Sequence, residues 1–327
     1  MKSGRKQYAV GVDFGGTSVK LALVNAQGKI VERCKFATAE AAGQAAWLEA
    51  VAVSIALMLK ACGLKKSALA GVGVGVPGFV DFEKGFIHDL TNVPGWTAVK
   101  LAAKMQKKLG LPAYVDNDAN MMALGEIAFG GGKNLQTAVF LTLGTGVGGG
   151  IVLAGQVYRG AYSMAGELGH ISIERNGLVS PQGRGGLEQY IGNRRIIEHT
   201  VRLLKAGHES SLTQLCDGDF AQITPELIAQ AAHAGDKFSL EIFDYVADCL
   251  ATALASVTYL LQPEAFIIGG GVAASGKILF DPLRKHLAAR LSPHFAKRIK
   301  VLPAKLGNDA GAVGGAALAL QAQKTLE

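Results

Sequence analysis

One gesture, made twice about 130 residues apart, limits what this chain can fold into more than anything else in it. Tyr8 to Val31 reads as an apolar strand, a polar turn with glycine (Asp13, Phe14, Gly15, Gly16, Thr17), a second apolar strand, and a tight turn at Asn25 to Gly28. Val139 to Val157 repeats it: strand, then Gly144, Thr145, Gly146, Val147, Gly148, Gly149, Gly150, strand, then a turn near Gly155. Each unit is a hairpin whose first bend holds more glycine than a bend needs. Glycine lets backbone amides converge without Cβ clashes, and converging amides form an anion site. Two such loops facing each other suit the two ends of a polyphosphate chain, which points to a two-domain phosphotransferase.

Composition bounds the alternatives. A chain of 327 residues is long enough for two domains, and 49% hydrophobic with 18% charged residues fits a compact α/β protein rather than a disordered one. The formal charge of +7 invites a nucleic-acid reading. The basic residues are scattered, however, with no aromatic-interleaved patch, zinc finger or RNA-binding motif, so the expectation is no nucleic-acid partner. Cys34, Cys62, Cys216 and Cys249 lie far apart without ligand spacing and read as reduced, mostly buried residues of a cytoplasmic protein. No apolar signal segment precedes the β-pattern at Tyr8. The most apolar helical stretches, Val51 to Leu59 and Leu250 to Leu261, are expected to fall short of a membrane span, so no membrane anchor is expected.

Strands are expected over 8–14, 18–24 and 29–36, then a helix over 42–62 with Trp47, Val51, Ile55, Met58, Leu59 and Cys62 on one face. Leu69 to Val76 is a buried strand ending in the Pro77-Gly78 bend, where α/β proteins place ligands. A helix over Leu101 to Leu109 ends at Gly110, and a strand from Ala113 runs into Asp116, Asn117 and Asp118 ahead of a helix over 121–130. A loop-rich insertion covers 158–188. Helices dominate 189–261, one starting at Thr224-Pro225, and the strand Ala265 to Ile268 runs into Gly269, Gly270 and Gly271. A helix (280–290), a strand (299–303) and a terminal alanine-rich helix entered through Gly307 to Gly315 complete the chain.

Asp13 stands at a strand end before Gly15, Gly16 and Thr17, where a carboxylate can orient Mg²⁺-bound water while amides meet phosphate oxygens. No Lys-Ser or Lys-Thr pair follows the glycines, and a strand rather than a helix follows Gly16, so neither the P-loop nor the dinucleotide fingerprint applies. Asn117-Asp118-Ala119-Asn120 is the candidate reacting centre, since a hydroxyl attacking phosphorus needs a carboxylate to orient it and accept its proton. Asp118 and Asp116 both fit, and sequence chemistry barely separates them. Asn117 can bond a sugar hydroxyl. Glu167, His170 and Glu188 bring acceptors and a donor into the polar insertion, an inventory suited to vicinal sugar hydroxyls. No cysteine between Cys62 and Cys216 completes a thiolate metal site with His170. Gly269 to Gly271 suits a flat ligand such as adenine or its ribose, and His88, Asn92 and Trp96 fall where a substrate-facing lid would lie.

Taken together, these segments resemble the bacterial ROK family (repressors, open reading frames and kinases) from about Gly11 to Ala316. Asp13-Phe14-Gly15-Gly16-Thr17 resembles its first phosphate motif, and Gly73-x-Gly75-x-Pro77-Gly78 with Asn92 and Gly95-Trp96 its sugar-side bend and loop. Asn117-Asp118-Ala119-Asn120 resembles its catalytic segment, Gly144 to Gly150 its second phosphate motif, and Gly269 to Gly271 its nucleotide motif. The resemblance implies a two-domain, actin-like (ribonuclease H-like) α/β fold with an interdomain cleft. Residues 1–118 plus about 309–327 would form a smaller domain and 119–308 a larger one. It also implies ATP-dependent, Mg²⁺-requiring phosphorylation of a hexose, glucose foremost, at the 6-hydroxyl. Asp118 would be the base, Asp13 would support the Mg²⁺ shell, and Gly15, Gly16, Thr17, Gly144, Thr145, Gly146, Gly269, Gly270 and Gly271 would hold the nucleotide. Gly78, Asn92, Asn117, Asp118, Glu167, His170 and Glu188 would hold the sugar.

Other hexoses (N-acetylglucosamine, N-acetylmannosamine, mannose, fructose), a polyphosphate donor, and a non-enzymatic sugar-binding regulator are the alternatives. Family kinases usually hold a structural zinc with a histidine and three cysteines. The aligned positions here are Val179, Pro181 and Gly186, so no zinc site is expected. Leu178, Val179 and Leu187 are then expected to pack inward, and Arg184 to pair with a carboxylate. Family repressors place a helix-turn-helix domain before the first phosphate motif; with twelve residues before Asp13 in the sequence as read, a kinase rather than a repressor is expected. A homodimer is expected through apolar faces such as Ile242, Phe243, Val246 and Leu250.

Overall fold

The structure, a computed structural model, describes residues 7–91 and 93–325. Two compact units emerge: Met1–Asn134, Gly150–Gly166 and Lys305–Glu327 form the first, and Leu135–Gly149 and Glu167–Ala304 the second.

The first unit runs β1 (Tyr8–Phe14), β2 (Ser18–Asn25), β3 (Ile30–Ala37), α1 (Gln44–Ala61), β4 (Leu69–Val76), β5 (Gly78–Asp81), β6 (Phe86–Leu90), α2 (Leu101–Leu109), β7 (Ala113–Asn117) and α3 (Asp118–Phe129). Its sheet has the order β3-β2-β1-β4-β7. The hairpin chemistry read from the sequence makes β1, β2 and β3 an antiparallel meander, while β4 and β7 join β1 in parallel. All eight residues of β4 are buried, as expected of a parallel strand covered on both faces. The parallel register places Asp13 opposite Gly75, Gly75 opposite Asp116, and Val76 opposite Asn117. Three strand ends, and the polar residues on them, therefore share one edge.

Helix α1 is 18 residues long with mean hydropathy 1.4, long and apolar enough to cross a membrane on those counts, which corrects the expectation that this stretch falls short. Its apolar face is used otherwise: Trp47, Val51, Ile55, Met58 and Leu59 lie in the first unit's core. Trp96 is also core, 2% exposed. Its ring sits 4.9 Å from that of Phe14 and 5.4 Å from that of Trp47, an edge-to-face cluster under the Asp13 turn. The expected lid is thereby corrected: Trp96 faces inward, His88 lies within β6, and Asn92 falls outside the described residues.

The second unit's sequence continues through β8 (Ala138–Leu143), β9 (Val147–Leu153), β10 (Gln156–Tyr158), β11 (Val179–Ser180), β12 (Gly183–Arg184), α4 (Glu188–Ile191), α5 (Asn193–Lys205), α6 (Leu212–Leu215), α7 (Pro225–His233), α8 (Lys237–Leu261), β13 (Ala265–Gly269), α9 (Lys277–Arg290), α10 (Pro293–Ala296) and β14 (Lys300–Pro303). From Gly150 to Gly166 the chain groups with the first unit. The strand order β10-β9-β8-β13-β14 repeats that of the first sheet, so the doubled hairpin seen in the sequence is a doubled architecture. Thr224 caps α7 by accepting the Leu227 amide at 3.2 Å, with Pro225 as the first helical residue. The core is α8 packed on α9 and the sheet. Ile242, Phe243, Val246 and Leu250 are buried within it, which corrects their expected place at a dimer contact.

Helix α11 (Ala310–Thr325) belongs to the first unit, and its small residues explain how. A Cβ on Gly11 would fall on the Ala312 carbonyl oxygen, one on Gly73 on the Gly315 carbonyl, and one on Gly314 on the Met121 carbonyl. α11 thus lies against β1, β4 and α3 at backbone distance. This packing keeps α3 with the first unit, and the chain leaves that unit after Asn134.

Candidate functional site

Because β1, β4 and β7 run parallel, their carboxyl ends gather Asp13, Gly15 to Thr17, Gly78, Asn117 and Asp118 at one edge of the first unit, where open α/β sheets bind ligands. Gly16 and Thr17 are exposed, and the turn is tied down by the Gly15 amide on the Ser18 carbonyl (3.0 Å) and the Thr38 hydroxyl on the Gly15 carbonyl (2.7 Å). Asp13 is 8% exposed, and its Oδ2 stands 3.5 Å from Lys20 Nζ. Burial pushes its carboxyl above the usual carboxylate range, while Lys20 opposes that.

Helix α3 begins at Asp118, three residues earlier than the sequence suggests, with Asn117 as its cap. The Asn117 Oδ1 accepts the amides of Ala119 (2.9 Å) and Asn120 (3.3 Å), and its Nδ2 donates to the Gly78 carbonyl at 3.2 Å. Asp118 is half-buried, and its Oδ1 accepts the Ala119 amide at 2.8 Å. A carboxylate in the first turn of a helix is stabilised by the unpaired amides there. Asp116 is different. At 2% exposed, its Oδ1 accepts the Asn117 amide (2.8 Å) and Asn120 Nδ2 (3.1 Å), and its Oδ2 accepts Arg159 Nε at 2.8 Å. Both oxygens of Asp116 are engaged inside the fold, and its burial distinguishes it from the half-buried Asp118. Sequence reasoning missed Arg159, because nothing local links it to a carboxylate 43 residues away.

In the second unit the parallel pair β8 and β13 sets Gly269 opposite Thr142, so Gly144 to Gly146 and Gly269 to Gly271 lie at adjacent strand ends. Gly270 has φ +92°, and a Cβ there would meet the Leu143 backbone, so the bend requires glycine. Glu188 Oε2 accepts the Val147 amide at 2.9 Å, and a Cβ on Gly146 would strike that same oxygen. Glu188 is therefore packed on the second glycine turn. The bridge Ser172–Gly186 and the Leu187 amide on the Ile171 carbonyl (3.0 Å) bring the Glu167–His170 segment alongside Glu188. His170 Nε2 stands 3.7 Å from Glu167 Oε2, too far for a hydrogen bond.

Among the described residues no group of three or more His, Cys, Asp or Glu is arranged to hold a metal ion. The loop that carries Val179, Pro181 and Gly186 is held by hydrogen bonds. Tyr190 Oη accepts the Leu178 amide (3.0 Å) and donates to Glu174 Oε2 (2.9 Å), and Gly185 N–H reaches the Leu178 carbonyl (2.8 Å). Arg184 donates to the Gly177 carbonyl at 3.2 Å, not to a carboxylate as expected. Leu178 and Val179 are exposed while Leu187 is buried, so only the last packs inward as expected. If these bonds order the loop, a chelator should leave activity unchanged once Mg²⁺ is restored, and purified protein should carry far less than one zinc per chain. Stoichiometric zinc would contradict this account of the loop.

Two sheets of repeated order, with glycine turns at the carboxyl ends of their strands, define an actin-like, ribonuclease H-like α/β protein. The family model described as "ROK family" matches residues 9–322, and the chain belongs to the ROK family. It is 36% identical over 322 residues to a glucokinase of Halalkalibacterium halodurans, covering 98% of this chain and 97% of that protein. A crystal structure of a ROK family glucokinase from Streptomyces griseus in complex with glucose and AMPPNP is similar with TM-score 0.79 and 33% identity, over 96% of this chain and 99% of that one. A ROK family transcriptional regulator, a homologue of the E. coli MLC protein, is similar with TM-score 0.85 and 26% identity, over 97% of this chain and 78% of that one.

Proposed function

We propose that the chain is an ATP-dependent kinase that phosphorylates a hexose at its 6-hydroxyl, with glucose the preferred acceptor. The observation that carries this reading is the contrast at the end of β7: Asp116 is consumed by the fold, whereas Asp118 is half-exposed at the start of α3. A carboxylate so placed can orient a sugar hydroxyl and accept its proton as it attacks phosphorus. The phosphate turns supply a second support. A Cβ on Gly144 would meet no protein atom within 4 Å, so packing does not demand glycine there. Glycine leaves the backbone there open to close approach by a ligand, and an ATP phosphate is such a ligand.

Asp118 acts as the base in this proposal, and the turns at Gly15 to Thr17 and Gly144 to Gly146 hold the phosphates. The exposed bend Gly270-Gly271 takes the adenosine. Glu188 keeps Oε2 on Val147 and offers Oε1 to the sugar, alongside Glu167 and His170. Asn117 and Gly78 brace the acceptor side, and Asn92 completes it. Mg²⁺ bound with ATP spreads the charge on the transferring phosphoryl group. Asp13, the acidic side chain beside the exposed Gly16-Thr17 turn, fits a role in its water shell.

Glucose rests on the relatives of known activity; mannose, fructose and the N-acetylhexosamines are alternatives, as is polyphosphate as donor. A coupled screen across these sugars with both donors tests the assignment, and the largest kcat/KM is expected for glucose with ATP. The likeness to a transcriptional regulator favours one second reading, a sugar-binding regulator, which would bind glucose without releasing ADP.

We also propose a cytoplasmic homodimer. Since Ile242, Phe243, Val246 and Leu250 are core, another face would have to pair. Light scattering at micromolar protein should give twice the chain mass, and a monomer mass would reject the dimer.

A further inference from the structure

We infer that Arg159 is a positioning residue for phosphoryl transfer: through Asp116 it fixes the turn that carries Asp118. The inference rests on the reading of Asp118 as the base.

Arg159 lies in the segment that grouped with the first unit, 43 residues from its partner. Its Nε donates to Asp116 Oδ2 at 2.8 Å, its Nη1 to the Val157 carbonyl at 3.2 Å, and its guanidinium lies 3.6 Å from the centroid of the Phe82 ring. Phe82 is tied to the same segment, its amide donating to Ser163 Oγ at 3.4 Å. The guanidinium is thus held on two sides and fully directed before it meets the carboxylate. A planar fork stacked on a ring is geometry that lysine cannot copy.

Asp116 passes that constraint on. Its Oδ1 takes the Asn117 amide at one end of the Asn117–Asn120 turn and Asn120 Nδ2 at the other. Asn117 in turn caps α3 and anchors on Gly78. Asp118 sits between these fixed points, so the backbone that carries its carboxylate is held by a chain of bonds that starts at Arg159. Burial pushes the Asp116 carboxyl up, and Arg159 is the foremost group opposing it. Without the guanidinium, Asp116 would tend to take a proton, lose acceptor strength, and loosen both ends of the turn.

Misplacing a reacting group by about 1 Å can cost on the order of 100-fold in rate. Arg159→Met should therefore lower kcat roughly 10- to 100-fold while changing the KM for ATP by no more than about twofold. Arg159→Lys should recover part of the loss. The Asp116→Asn/Arg159→Met pair should be no worse than Arg159→Met alone, because a neutral amide needs no guanidinium and the two act in one chain. Thermal unfolding of each variant reports folding, and if Arg159→Met does not fold, Arg159→Lys and Asp116→Asn carry the same kcat-against-KM comparison.

A wild-type kcat in Arg159→Met, or losses that multiply in the double variant, would overturn the inference. Asp118→Asn run in parallel separates the two claims. An inactive Asp118→Asn beside a fully active Arg159→Met sinks the positioning role alone, whereas an active Asp118→Asn sinks the base itself.

Discussion

Asp118→Asn is expected to lower kcat by about 100-fold or more while leaving the hexose dissociation constant within about threefold. The amide keeps the volume of the carboxylate, and its oxygen can still accept the Ala119 amide, which Asp118 Oδ1 meets at 2.8 Å. Asn117, not Asp118, caps α3, so the helix should start as before. What the variant loses is the proton acceptor and the charge at the helix terminus. Steady-state kinetics with ATP and glucose, together with calorimetric titration of glucose, separates the two effects. A variant that turns over at the wild-type rate would remove Asp118 from the base role, and one that loses sugar binding and rate alike would make it a binding residue.

Gly11→Ala is expected to have the largest effect on stability, about 3 kcal/mol or more, because the new methyl would occupy the space of the Ala312 carbonyl oxygen. That oxygen is backbone within α11 and cannot swing aside as a side chain could. Either α11 lifts from the sheet or β1 shifts, and both disturb the Asp13 edge. Gly144→Ala is the informative contrast. Its Cβ meets nothing within 4 Å and its φ is not in the left-handed region, so the protein should fold with a thermal midpoint within about 3 °C of wild type. Only the KM for ATP should rise, since the methyl takes space that the phosphate needs. Urea titration followed by circular dichroism measures the first variant. A stable Gly11→Ala protein would refute the close packing of α11, and an unchanged KM for ATP in Gly144→Ala would remove that turn from the phosphate site.

The two hairpins and their glycine turns were legible in the sequence because the signal is local: alternating burial, turn residues and glycine clusters lie within a dozen residues of one another. The order in which the parallel strands extend each sheet is not contained in that local pattern and comes from the structure. The catalytic segment was legible as far as its residue types, since Asp and Asn after a buried strand have few other uses. Its decisive detail was not. Asp116 is buried and accepts a hydrogen bond from Arg159, whereas Asp118 is half-buried, and a side-chain pair closed by tertiary folding leaves no periodic trace.

Trp96 failed for a related reason. A tryptophan in a Gly- and Pro-bearing loop looks exposed, yet Phe14 and Trp47 form a ring cluster with it, and a cluster from three separate segments is invisible along the chain. The faces of α8 misled in the opposite direction. Ile242, Phe243, Val246 and Leu250 have the spacing of an interface, but a helix core uses the same spacing, and all four are buried in the second unit's core, where α8 packs on α9. The loop without cysteines shows what local chemistry can replace: Tyr190 and Glu174, unremarked in the sequence, form the bond that closes it.

The most direct test of the kinase assignment is ADP release measured with and without glucose, in the same preparation with ATP and Mg²⁺. The account expects release to be slow without sugar, to rise saturably with glucose, and to match glucose 6-phosphate formed one for one. ADP release independent of any hexose, or tight glucose binding with no ADP released, would contradict it.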